Sequence, residues 1–85
     1  MKWMVTIRFN PRDAQQQAEM MALLPQEQAH VQVQREQHVL DAIYISADRR
    51  FVWLIMDGDS QESVQQRVAT FPLYPYMQTE ITQLG

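Results

Sequence analysis

The 85 residues include no cysteine, and carry a formal net charge of −3, an isoelectric point near 5.1 and 46% apolar side chains. These values exclude a disulfide framework or thiolate metal centre and a basic surface for nucleic acid. No apolar run reaches the ~20 residues that cross a bilayer, so no membrane segment is expected. The N-terminus lacks the charged, apolar and small-residue succession of a secretory signal, and a cytoplasmic protein is expected. A chain of this length hides only about 60–65% of its unfolded surface on folding. One domain over residues 1–85 is therefore predicted, with a second copy as the source of further burial.

Lys2 to Phe9 alternates as a strand, with Trp3, Val5, Ile7 and Phe9 on one face and Lys2, Met4, Thr6 and Arg8 on the other. Asn10-Pro11-Arg12-Asp13 reads as a helix start, with Asn10 as cap and Pro11 at the first helical position. The helical region that follows spans roughly residues 11 to 37. Ala14, Ala18, Met21, Ala22, Pro25, Ala29 and Val33 form its apolar side. Pro25 predicts a break or bend. Val39 to Ser46 and Phe51 to Asp57 form the second and third strands, joined by a short hairpin at Ala47-Asp48-Arg49-Arg50.

The third strand is apolar at every position from Phe51 to Met56, so it needs cover on both faces. Two helical regions cover one face, and the other predicts a homodimer. Gly58 ends this strand. Asp59 or Ser60 caps the next helix, with Glu62 as the reciprocal partner of Asp59. Val64, Val68 and Phe71 form its buried stripe. Phe71-Pro72-Leu73-Tyr74-Pro75-Tyr76-Met77 is a rigid apolar connector, which its two prolines predict to be extended. Tyr76 to Leu84 forms the last strand. The order β-α-β-β-α-β predicts an α+β fold, a ferredoxin-like sandwich with an antiparallel sheet and both helices on one face. The thirteen glutamines are dispersed over helical surfaces and form no low-complexity tract.

The connector closely resembles the Leu-Pro-Leu-Phe-Pro-Tyr-Met segment of muconolactone isomerases, most specifically at Leu73, Pro75, Tyr76 and Met77. Gln34-Arg35-Glu36 is similar to a Gln-Arg-Glu of those enzymes. Leu23-Leu24-Pro25 and Ser46-Ala47-Asp48-Arg49 resemble small isomerase-like relatives. The resemblance covers most of residues 30 to 84. It implies a dimeric α+β barrel, a homodimer or higher homo-oligomer. It also implies proton transfer on an unsaturated lactone in aromatic-compound catabolism, with no metal or organic cofactor. With Gly85 as the last residue, the C-terminal tail that those enzymes usually have is not expected, and the hairpin strands match theirs poorly in side-chain identity.

Lactone isomerisation needs a base beside an acidic C–H and a donor beside the developing enolate. Glu27 and His30, three apart on a helix, share a face and are the candidate catalytic pair, with His30 as acid or base and Glu27 orienting it. Arg8, Tyr44 and Tyr76 are the candidate substrate-binding residues. Arg8 suits a carboxylate, or pairs with Glu80 on a neighbouring strand. The tyrosines offer hydroxyls on apolar bodies, or simply pack at the core edge. His38 and Asp41 form a weaker second pair. No third histidine or cysteine completes a metal site. A non-catalytic dimeric barrel that binds a small apolar metabolite or serves as an assembly unit is the alternative, and a cofactor-independent oxygenase is a third. The isomerase reading expects a closed pocket between sheet and helices that contains an ionisable group. The non-catalytic reading expects that space filled by Met and Leu.

Overall fold

The computed structural model describes residues 1–85. Four strands, β1 (Lys2–Phe9), β2 (Leu40–Ile45), β3 (Phe51–Asp57) and β4 (Met77–Gln83), and two helices, α1 (Ala14–Glu36) and α2 (Gln61–Val68), follow the predicted order. The sheet is antiparallel, with strand order β2-β3-β1-β4. The two central strands come from opposite halves of the chain, so neither β-α-β unit forms without the other. Pairing sets Trp3 beside Met56, Val5 beside Leu54 and Ile7 beside Val52. These inward residues join Leu40, Val64, Val68 and Phe71 in one core. Trp3 also donates from Nε1 to the Gly58 carbonyl (3.0 Å), so its one polar atom is partnered.

The helix ends differ in detail from expectation. Asp13, not Asn10, caps α1: its Oδ1 accepts from the Gln16 N–H at 2.9 Å. The Asn10 N–H instead donates to the Tyr76 carbonyl (2.9 Å) and ties β1 to the connector. α1 ends in a Schellman motif. The His38 N–H donates to the Arg35 carbonyl and the Val39 N–H to the Gln34 carbonyl, with His38 at φ 62°. Ser60 caps α2 in a reciprocal box with Ser63 rather than Asp59 with Glu62.

α1 runs unbroken through Pro25 for 23 residues. Pro25 removes the donor to the Met21 carbonyl and crowds that carbonyl, but both residues are exposed, so water can replace the lost bond. The helix is also turned relative to the predicted stripe. Ala14, Ala18, Met21, Ala22, Pro25, Ala29 and Val33 are all exposed, and of them only Met21, 61% exposed, borders the space between α1 and the sheet. The inner face is Gln16, Met20, Leu23, Glu27, His30, Val31 and buried Gln34. Most of the outer stripe is alanine, which gains little from burial at about 25 cal/mol per Å². The larger apolar side chains Met20, Leu23 and Val31 lie on the inner side instead, together with the polar contacts of Glu27, His30 and Gln34. The connector is not extended: the Tyr74 and Tyr76 N–H groups donate to the Phe71 and Leu73 carbonyls (2.9 Å each), giving one 3-10 turn over Tyr74–Tyr76. Pro75 lies inside that turn near its start, where a missing N–H costs little.

Candidate active-site cleft

α1 crosses the sheet without closing onto all of it. Between its inner face and the inward side of β1, β2 and β3 lies a cleft of about 950 Å³. Of its 21 lining residues 13 are hydrophobic, among them Ile7, Phe9, Ile43, Val52, Leu24 and Leu73. The cleft is open to solvent rather than sealed, and Met and Leu side chains line it without filling it. A second hollow over the first turns of α2 is lined only by Ser60, Gln61, Glu62, Gln65 and Gln66. It has no apolar wall and is solvated helix surface.

Glu27 is the ionisable group from α1 on the cleft wall. It is half-buried, and its carboxylate accepts from the Leu73 N–H (3.1 Å, to Oε1). The other oxygen has no protein partner. Burial raises the pKa of Glu27 above the usual carboxylate range, and the Leu73 N–H offsets part of that rise. Leu73 is itself almost fully buried, so Glu27 satisfies a backbone donor that water cannot reach.

His30 lies one turn further along α1 and makes no hydrogen bond to Glu27. Its Nε2 is hydrogen-bonded to Thr70 Oγ1 (2.8 Å) and lies 3.2 Å from Gln34 Nε2, and its ring meets Phe71 edge-on at 5.2 Å. It is not among the cleft-lining residues, whereas Phe71 is. Gln34, 5% exposed, donates to the Arg67 carbonyl (3.4 Å), and its Oε1 is buried without a partner. Glu27 and His30 thus fasten α1 to the segment Thr70–Leu73 at two points rather than pairing with each other.

The other sequence candidates are scattered. Arg8 is a lining residue at the end of the cleft formed by the β2–β3 hairpin, and it forms no ion pair; Glu80 stands opposite Thr6, two pairs away, and Gln78 is the residue opposite Arg8. Tyr44 lies beside Trp53 on the outer sheet face and is 61% exposed. The Tyr76 hydroxyl donates to Glu19 (3.0 Å), which raises its pKa. Neither tyrosine lines the cleft. His38 and Asp41 do not meet; Asp41 pairs with Lys2.

Sequence reasoning missed Asp48, Arg49 and Arg50, which line the same end of the cleft as Arg8. Asp48 accepts from Ser46 Oγ (2.7 Å) and the Arg50 N–H (3.0 Å), and these bonds hold its carboxyl below the usual range. It also lies 4.0 Å from Arg50 Nε. Arg49 has φ 65°, a conformation that costs a non-glycine residue about 1–2 kcal/mol. An arginine where a hairpin turn favours glycine was the signal available in the sequence.

The family model described as muconolactone delta-isomerase matches residues 1–85. A solved muconolactone isomerase superposes with a TM-score of 0.83 at 20% identity, over 99% of this chain and 88% of that one. A 5-chloro-2-hydroxyhydroquinone dehydrochlorinase from Burkholderia phenoliruptrix AC1100, solved with 2,5-dihydroxybenzoquinone, superposes with a TM-score of 0.78 at 13% identity, over 100% of this chain and 94% of that one. At these identities the likeness to the two structures is one of fold. No curated protein matches the sequence significantly. The whole-chain family match, carried on the β-α-β-β-α-β architecture that both solved structures share, makes this chain a muconolactone isomerase-like protein and a member of the muconolactone delta-isomerase family.

Proposed function

We propose that the cleft catalyses cofactor-free proton transfer on a small unsaturated lactone bearing a carboxylate, with Glu27 as the group that moves the proton. The observation that carries this reading is a carboxyl of raised pKa, with one oxygen unpartnered, on the wall of a largely apolar cleft. A base poised nearer neutrality than an ordinary glutamate suits abstraction of a C–H proton beside a conjugated carbonyl. On a butenolide ring, Glu27 takes the γ proton, the electron pair spreads through the double bond to the carbonyl oxygen, and the same proton returns to the α carbon. No electrons leave and no group is lost. His30 acts as a positioning residue through Thr70 and Phe71. Arg8 attracts the carboxylate.

The outer sheet face supports a homodimer. Met4, Phe51, Trp53 and Ile55 are only half-buried there, and the Phe51 and Trp53 rings stack at 5.8 Å. A second copy facing this surface would give β3 the cover its outer face lacks, and Tyr44 would then serve the interface.

Muconolactone is the test substrate. The wild-type chain converts it to the β,γ-unsaturated isomer, followed by the loss of ultraviolet absorbance of the conjugated lactone. Glu27→Gln lowers kcat by a factor of 100 or more. Wild-type turnover with an unaffected Glu27→Gln variant would remove Glu27 from the reaction. The hydrophobic majority of the lining also favours a second reading, a carrier of a small apolar metabolite. Binding without any turnover would decide for it.

A further inference from the structure

We propose that Arg49 is a specificity residue for the ligand carboxylate, held in a left-handed backbone conformation at the expense of fold stability. The inference rests on reading the cleft as the ligand site and assigns its charge recognition to the hairpin.

Three observations meet at this residue. Arg49 is one of two non-glycine residues with positive φ, at 65°. The other, His38, closes the α1 Schellman motif, a position where the αL conformation is structurally required. Arg49 occupies the corresponding place in the hairpin: its N–H donates to the Ser46 carbonyl (3.0 Å), and the Ser46 N–H donates to the Phe51 carbonyl (3.0 Å). Glycine meets that backbone demand with no steric cost. The turn therefore explains the φ but not the arginine.

Second, Arg49 lines the cleft, as does Arg8. Third, the turn's one acidic residue is already engaged. Asp48 takes the Ser46 hydroxyl, the Arg50 N–H and the Arg50 side chain. Arg49 and Arg8 have no acidic partner within ion-pair distance. The cleft thus has Arg49, a cation without an ion-pair partner, at its hairpin end and Glu27 along its helix wall, while Arg8, paired with Phe51 at the outward-facing positions of the strands, reaches only the rim of that end. An anionic group entering the cleft is drawn to the hairpin end and repelled from ionised Glu27. This orients a lactone acid with its ring, not its carboxylate, toward the proton-transferring group. Fork-shaped guanidinium donors suit a planar carboxylate.

The test uses muconolactone and its methyl ester as probes, with binding read by calorimetry and stability by thermal unfolding at one fixed protein concentration. Wild type binds the acid at least tenfold more tightly than the ester. Arg49→Gly loses most of that preference, binds the ester unchanged, and melts a few degrees higher because the turn is relieved. Arg49→Lys, which keeps the charge and the strained backbone, retains part of the preference with no gain in melting temperature. The proposal is overturned if acid and ester bind wild type equally, if neither binds, if Arg49→Gly keeps the preference, or if it melts lower than wild type. Turnover is measured in parallel. Preferential acid binding without turnover would sink the isomerase reading and leave the Arg49 assignment standing.

Discussion

Glu27 ties α1 to Leu73 and is also the proposed proton carrier, and its substitutions separate these two roles. The carboxylate accepts from the Leu73 N–H at 3.1 Å, and Leu73 is 2% exposed. Glu27→Ala leaves that donor buried and unpaired, which costs about 1–3 kcal/mol. For a domain of this size each kcal/mol lowers Tm by about 4–8 °C. Glu27→Gln keeps a carbonyl acceptor for Leu73 and removes only the charge. Because burial raises the folded pKa above 4.5, the native state holds its proton more tightly than the unfolded chain does. Ionisation therefore costs the native state stability. The cost is absent below the unfolded value and fully present above the folded one. Melting curves of wild type, Glu27→Gln and Glu27→Ala between pH 4 and pH 8, at one protein concentration, read this directly. The Glu27→Gln minus wild-type difference in Tm is smallest near pH 4 and becomes more positive as pH rises. A difference that stays flat, or that moves the other way, would refute the buried-carboxyl argument.

The remaining expectations concern the scaffold. Trp53→Glu or Ile55→Lys on the outer sheet face shifts sedimentation from dimer to monomer; an unchanged dimer places the interface elsewhere. Gly58→Ala brings a Cβ to 2.7 Å from Val64 Cγ2 and 3.0 Å from Ser63 Oγ. Val64 is fully buried and β-branched, so it cannot step aside, and the substitution costs about 1–3 kcal/mol. In a Val64→Ala background that cost disappears, and additive losses in denaturant unfolding would show that the clash is not its cause.

Strand periodicity carries a direct physical signal, and the sheet was legible from it. Trp3, Val5 and Ile7 alternate inward as expected, and Phe51–Asp57 forms the third strand over its expected residues. A period of two leaves each residue only one face or the other. The burial of Val64, Val68 and Phe71 was equally plain, although α2 ends at Val68 and Phe71 follows it, because β-branched and aromatic side chains gain much from burial. α1 was not. Its alanine-rich side gains little by facing the core, so the spacing of that side carried too small an energy to orient the helix. The observed orientation combines burial of Met20, Leu23 and Val31 with hydrogen bonds to residues about forty positions away: Glu27 to Leu73, His30 to Thr70 and Gln34 to Arg67.

The same division holds for the site. The order of elements and the Leu73-to-Met77 segment were enough, from residue identity, to specify the family and its split β-α-β fold, since local pattern and connection rules leave few alternatives. Glu27 and His30 were readable as neighbours on one helix. Whether they would meet was not, because each finds its partner on the distant segment Thr70–Leu73. The cleft, and the gathering of Arg8 with Arg49 at its hairpin end, arise only when β1 and β3 pair in the middle of the sheet. Spacing along the chain constrains contacts within an element; contacts between elements are decided by which surfaces the whole fold leaves facing one another.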